Sequence, residues 1–125
     1  MKELTKAEEQ VMHILWKLDK AFVKDIIAEM DEPKPAYNTI STIIRILETK
    51  EFVGHEEFGK SHRYFPLVSK KEYSKYRMND MVKNYFENSA RQVVSFFANN
   101  KSIDIKEADE IIQILENLKK EVGNG

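Results

Sequence analysis

A change in hydrophobic period at residue 52 constrains the fold more than any other feature of this sequence. In three segments before that point, apolar residues recur every three or four positions, which predicts three amphipathic helices. These segments are about 5–18, 22–30 and 36–50. From 52 to 67 the period is two, with a turn at Gly59-Lys60-Ser61, which predicts a β-hairpin. Three helices followed by a hairpin that must pack on them is the element order of a winged helix-turn-helix domain.

The third predicted helix has an apolar stripe and, one step around the helix, a polar stripe. The apolar stripe is Ile40, Ile43, Ile44 and Leu47, and the polar stripe is Asn38, Ser41, Thr42 and Arg45. An ordinary core helix with a solvated face has the same pattern, so the stripes alone do not indicate a function. The whole hairpin that follows is here called the wing. Its tip carries basic side chains, and this combination favours DNA binding over a solvated surface.

Recognition of DNA gives these side chains distinct roles. Arg45 can fork onto guanine, Asn38 can pair with adenine, and the Thr42 methyl group can touch thymine. Tyr37 is expected to contact the DNA backbone or to pack under Pro35. The wing is expected to meet phosphate or the minor groove. The candidate DNA-binding residues are Tyr37, Asn38, Thr39, Ser41, Thr42 and Arg45 in the helix and Lys60, His62 and Arg63 in the wing.

The net charge of −1 conceals an uneven distribution along the chain. Residues 34–77 contain nine Lys and Arg against five Asp and Glu, a net +4, whereas residues 1–33 carry −3 and residues 78–125 carry −2. A basic middle segment between acidic ends agrees with a surface that faces phosphates, although by itself it is a weak signal.

A second helical region follows Leu67. Ser69-Lys70-Lys71-Glu72 has the pattern of a capping box, and apolar residues then recur at helical spacing to Phe97, in one bent helix or in two with a break near Asn88-Ser89. This region can pack back on the first domain or pair with a second copy of the chain. We expect a homodimer, because a single winged helix contacts few base pairs. The predicted dimerisation residues are Val82, Tyr85, Phe86, Val93, Val94, Phe97, Ile111, Ile112, Leu115 and Leu118.

The sequence thus predicts a mostly helical fold with one small hairpin, divided into a winged-helix DNA-binding domain at 1–68 and a helical dimerisation region at 69–125. No apolar run reaches the roughly 18 residues of a membrane span, and the first residues lack the apolar core of a signal peptide. The chain has no cysteine, which excludes disulfides, thiolate metal sites and cysteine nucleophiles. We therefore expect a cytoplasmic protein that does not insert into a membrane.

Two other classes of function remain as alternatives. An enzyme needs a catalytic constellation, and the sequence has neither a glycine-rich phosphate loop nor a nucleophile elbow. His55 and His62 lie on opposite predicted strands and could hold a metal together with Glu56 or Glu57, but a solvated wing is the more frequent outcome, so we expect no metal and no cofactor. A winged helix that binds a protein instead of DNA would be revealed by a partner whose binding is insensitive to salt.

Several motifs in combination resemble the BlaI/MecI penicillinase-repressor family. They are Thr5-Lys6-Ala7-Glu8, Val11-Met12, Leu15-Trp16, the run from Tyr37 to Leu47, Lys50-Glu51-Phe52-Val53 and Arg63-Tyr64-Phe65-Pro66-Leu67. The resemblance implies a dimeric bacterial repressor that binds an inverted-repeat operator and controls antibiotic-resistance genes. It also implies a membrane sensor that responds to β-lactam and inactivation of the repressor by cleavage in its dimerisation region.

The chain departs from the family pattern at three points. Glu51 stands where the family usually has glycine, so it must leave the helix by another route or accept about 1 kcal/mol of backbone strain. The arginine of the better-known members is displaced by one position to Arg45, with Ile46 in its place. The family's cleavage point aligns with Ser95-Phe96 here, where Ser95 replaces asparagine. Relief of repression by an effector, without cleavage, is therefore the alternative.

Overall fold

The computed structural model describes residues 1–124, in which there are six α-helices and one two-stranded antiparallel sheet. The elements are α1 (Lys6–Leu18), α2 (Val23–Ala28), α3 (Tyr37–Thr49), β1 (Val53–Phe58), β2 (Ser61–Pro66), α4 (Lys70–Tyr85), α5 (Ala90–Asn99) and α6 (Ile105–Asn124). This architecture confirms the predicted mostly helical fold with one hairpin. The chain forms two compact units, of which the first is Met1–Met78 and the second begins at Asn79.

Side-chain caps fix where the first helices begin. Thr5 Oγ1 accepts a hydrogen bond from the Glu8 amide at 3.2 Å, and the Glu8 carboxylate accepts one from the Thr5 amide at 2.9 Å, as a capping box requires. The side chain of the residue before α2 makes no capping hydrogen bond. In the structure, the Asp25 carboxylate accepts from the amide of Phe22, the residue before α2, at 2.9 Å. An acidic residue in the first turn thus satisfies the amide of the cap residue, which is one half of a capping box.

The core of the first unit lies between α1, α2, α3 and the wing. Its fully buried large side chains are Phe52, Met12, Leu15, Ile26, Ile44, Leu47, Val11 and Val53. The wing is joined to the helices through Ala21, which pairs with Tyr64 as a single antiparallel bridge. The Ala21 amide donates to the Tyr64 carbonyl at 2.9 Å, and the Tyr64 amide donates to the Ala21 carbonyl at 2.7 Å. The hairpin is therefore held by backbone bonds as well as by apolar burial.

The C-terminal end of α3 directs the chain into the wing. Glu51 has a φ of 66°, the left-handed conformation in which glycine is usual. The Glu51 amide donates to the Glu48 carbonyl at 3.0 Å, and the Phe52 amide donates to the Leu47 carbonyl at 2.9 Å. Glu51 therefore ends the helix as a glycine would, and it accepts the backbone strain.

The first turns of α4 belong to the first unit. Trp16 Nε1 donates to the Val68 carbonyl at 2.8 Å, and the buried Tyr73 hydroxyl accepts from the Leu4 amide at 3.2 Å and donates to Glu9 at 3.2 Å. These contacts extend the first unit to Met78, beyond the predicted boundary at residue 68. The functional division of the chain into DNA-binding and dimerisation parts stays a prediction.

The helical region after Leu67 contains a break. Helix α4 begins with the predicted capping box of Ser69 and Glu72 and ends at Tyr85. Glu87 and Asn88 then have positive φ angles of 50° and 63°, which an α-helix cannot accommodate. Ser89 caps the next helix by accepting from the Gln92 amide at 3.3 Å. Of the two sequence-based alternatives, the structure has two helices between residues 69 and 97.

Replacing Glu51 by glycine is expected to raise the free energy of unfolding by about 1 kcal/mol, because glycine adopts the left-handed conformation without the steric penalty. Urea unfolding of the full chain measures this change. Glu51→Ala is the control, since alanine removes the charge but keeps the strain. An equal gain in both variants would attribute the effect to the lost charge and contradict the backbone explanation.

Candidate nucleic-acid interface

The polar stripe of α3 lies on the side of the helix that faces away from the core. The buried side is Ile40, Ile44 and Leu47. Asn38, Thr42 and Arg45 are exposed, and Ser41 is half-buried. The two stripes lie on different sides of α3, so burial of the apolar stripe against the core leaves the polar stripe at the surface. Side chains suited to reading base edges are therefore available at the surface.

Helix α3 and the wing border one cleft of about 140 Å³. The predicted site residues that line it are Tyr37, Ser41, Arg45, Lys60 and His62. The buried ring of Tyr64 also lines the cleft. The structure thus brings polar groups of the helix and basic groups of the wing to one surface, as the sequence predicted separately for each element.

Tyr37 is 59% exposed at the start of α3 and also borders a second cavity, of about 270 Å³, with Lys24 and His62. It does not line the cavity that contains Pro35. The sequence analysis did not single out Lys24, since a lone lysine on a six-residue helix forms no pattern. Its exposed side chain adds a cation at this end of α3.

Four of the predicted site residues do not line the cleft between α3 and the wing: Asn38, Thr39, Thr42 and Arg63. Asn38 and Thr42 are exposed on α3 outside it. Thr39 borders a different cavity, beside Ile43 and Pro35. Arg63 lies on the opposite face of the hairpin from His62, because successive residues of a strand alternate between its faces.

The guanidinium of Arg63 is engaged within the wing. Its Cζ atom is 4.6 Å from the centroid of the Phe58 ring, and its Nη2 donates to Glu56 at 3.3 Å. Lys20 also donates to Glu56, at 2.8 Å. The hydrogen bond from Lys20, with a further contribution from Arg63, holds the pKa of the Glu56 carboxyl below its usual range. This group of charges stabilises the outer face of the wing and leaves Arg63 turned away from α3.

The two wing histidines lie together on the face opposite to Arg63. Their rings stack with centroids 4.2 Å apart and planes at 8°. Nδ1 of His55 is hydrogen-bonded to the Glu48 carboxylate, and Glu57 is the cross-strand neighbour of His62. Burial, and then the Glu48 carboxylate, raise the pKa of the Tyr64 hydroxyl beside these rings. From the sequence, either Glu56 or Glu57 could join the histidines, and the structure places Glu57 there.

Comparison with known proteins assigns the chain to a family. A family model described as penicillinase repressor matches residues 4–117. The chain belongs to the penicillinase repressor family. This confirms the resemblance seen in the motifs, and because the family is one of repressors, it also confirms the expectation that the chain is not an enzyme.

Two relatives are similar over nearly their whole length. The penicillinase repressor of Bacillus licheniformis is 25% identical over 123 residues, which cover 95% of this chain and 96% of that protein. The methicillin resistance regulatory protein MecI of Staphylococcus aureus (strain N315) is 25% identical over 114 residues, which cover 90% of this chain and 93% of that protein.

One solved structure, the solution structure of the DNA-binding domain of the repressor BlaI, supports the winged-helix fold. It aligns with 58% of this chain and 94% of that domain, at 26% identity and a TM-score of 0.50. Among the described residues of this member of the penicillinase repressor family, no helix has both the length and the apolar character of a membrane span.

Proposed function

We propose that this protein is a transcriptional repressor that binds operator DNA as a homodimer in the cytoplasm and controls antibiotic-resistance or related genes. The observation that carries the proposal is the cleft between α3 and the wing, where Arg45 and Ser41 meet Lys60 and His62. Membership in the penicillinase repressor family supports it, as does the similarity of this part of the chain to the DNA-binding domain of BlaI.

In the proposed complex, α3 lies in the major groove. Arg45 and Asn38 have donors that fit guanine and adenine edges, and Thr42 offers a methyl group to thymine. Lys60 and His62 at the wing contact the sugar–phosphate backbone or the minor groove. Arg63 acts indirectly, by holding the wing through Glu56 and Phe58. Phosphate contacts make such binding weaken as salt rises, whereas a protein-binding winged helix would lack that dependence.

Arg45→Ala is expected to weaken binding to the specific operator by about 1–3 kcal/mol and to relax selectivity at one base position. Selection of bound fragments from a random DNA pool first defines the operator, and fluorescence anisotropy on operator and random DNA then gives both affinities. Lys60→Ala, the contrasting variant, should weaken both DNAs alike, and Arg91→Ala, on α5, should weaken neither. Equal loss on both DNAs with Arg45→Ala would make it a phosphate contact and contradict base reading.

The second unit supports the homodimer, because a single copy provides it with no core. None of its described side chains is buried. A groove of about 300 Å³ on α5 and α6 is lined mainly by apolar side chains, among them Val94, Ile111, Ile112 and Leu115. Two copies of this surface can bury each other, as in a symmetric interface. Two-fold symmetry in turn implies an inverted-repeat operator.

Leu115→Asp is expected to weaken the dimer by about 100-fold or more, because it places an unpaired charge in the proposed interface. Leu115 lies on α6 in the second unit and is 49% exposed in the single chain. The substitution therefore leaves the core of the first unit intact. Analytical ultracentrifugation should give twice 14.7 kDa for the unchanged protein and for the control Gln113→Asp, and 14.7 kDa for Leu115→Asp at micromolar concentration. A wild-type monomer under these conditions would contradict the proposal.

Cleavage in α5, between Ser95 and Phe96, is the proposed mode of relief. Both side chains are exposed, but the scissile backbone lies inside a helix, so a protease must first unfold it locally. Helix α5 has only ten residues and none is buried, which favours such unfolding. Separation of the two DNA-binding units removes an effective-concentration gain of about 10²–10⁴. The protease would be a membrane sensor, and dissociation by an effector is the alternative.

Exposure of cells that carry the native locus to a β-lactam is expected to produce a fragment ending at Ser95. Immunoblotting follows the full-length chain, and mass spectrometry identifies the new terminus. Derepression with the chain intact would exclude cleavage and favour an effector. This test is independent of the dimer and operator measurements.

A further inference from the structure

Three side chains of types that bind metal ions lie together on the inner face of the wing, which looks toward α3. They are His55, Glu57 and His62. The strand register pairs Glu57 with His62 and His55 with Tyr64, so these four residues share one face. One ligand atom each from His55, Glu57 and His62 lies within 4.8 Å of the others. Ligand atoms of a tetrahedral zinc ion are about 3.4 Å apart, given bonds of about 2.0–2.1 Å. Small side-chain rotations would therefore bring the three groups onto one ion.

A hydrogen bond from α3 orients His55, which is the half-buried member of the three. The Glu48 carboxylate on α3 is hydrogen-bonded to Nδ1 of His55. This contact sets the tautomer with the proton on Nδ1, which leaves the Nε2 lone pair free to bind a cation. A carboxylate behind a histidine ligand is the usual outer sphere of a protein metal site. Because Glu48 comes from a different element than the hairpin, it also ties the histidine to α3.

The neighbouring acid on β1 has a different role. Glu56 lies on the outer face and is paired with Lys20 and Arg63, so it cannot join the histidines. Glu57 and His62 are exposed, which gives an ion access from solvent. The planes of the two imidazoles are nearly parallel, at 8°. A turn of the exposed His62 ring about its Cβ–Cγ bond would let both rings direct a nitrogen at one ion while His55 keeps its hydrogen bond to Glu48.

We propose that His55, Glu57 and His62 form a binding site for a divalent transition-metal ion, with Zn²⁺ the ion that best suits two imidazoles and one carboxylate. Two histidines and one glutamate are a known zinc ligand set that leaves a fourth position for water. Thiolate ligands are absent, because the chain has no cysteine. The site borders the cleft lined by Arg45 and Lys60, so a bound ion adds two positive charges beside it. Binding of the metal does not depend on the proposed DNA function.

Competition with a chromogenic chelator tests the site on the full chain without a histidine tag. One Zn²⁺ per chain is expected. His62→Ala and His55→Ala should each lower the affinity by about 100-fold or more, and Glu48→Gln, which alters only the outer sphere, by about 10–100-fold. His13→Ala and Glu56→Gln are the matched controls, because His13 lies on α1 and Glu56 on the outer face of the wing, and neither should change the affinity.

NMR of the imidazole nitrogens gives a readout that does not require a variant to fold. On addition of Zn²⁺, the signals of two histidines should shift as ligand nitrogens do, while that of His13 should not. Absence of binding at micromolar Zn²⁺, or an equal loss of affinity in His13→Ala and His62→Ala, would overturn the proposal.

Discussion

Burial of one stripe of α3 determines what the other side of that helix can do. Ile40, Ile44 and Leu47 pack against α1 and α2 and are almost fully removed from solvent. Each buried aliphatic side chain contributes about 1.5–3 kcal/mol, so rotation of the helix about its axis would cost several times that amount. The exposed positions of Asn38 and Arg45 follow directly, because they lie on the opposite side of the same helical period.

The junction between α3 and the wing depends on charges as well as on apolar packing. Lys50 Nζ lies 2.7 Å from the buried Glu8 carboxylate on α1. Burial raises the pKa of Glu8, but hydrogen bonds from Lys50 and from the Thr5 backbone outweigh it and lower the pKa overall, so the carboxylate stays ionised. The next residue, Glu51, turns the chain in the left-handed conformation. The helix end and the start of the wing are thus tied to α1.

The two compact units differ in how much buried core each of them has within a single chain. The first has a continuous core that extends to Tyr73, whereas none of the described side chains of the second is buried. In our proposal, a second copy of the chain buries the apolar side chains of the second unit. In the same proposal the helical region is a suitable place for control, because cutting or loosening it would separate the two DNA-binding units without altering either cleft.

The sequence by itself predicted the order of the elements, the capping box at Ser69, and the two stripes of α3, because each follows from spacing within one short segment. It also carried the motifs by which the family was identified. Alternation along β1 already places Glu57, and not Glu56, on the same face as His55. Only the tertiary structure decided that Arg63 faces outward and that the strand register brings His62 to the face of His55 and Glu57. Alternation along a strand predicts that neighbours point to opposite faces, but the packing of the hairpin on α3 determines which face looks inward.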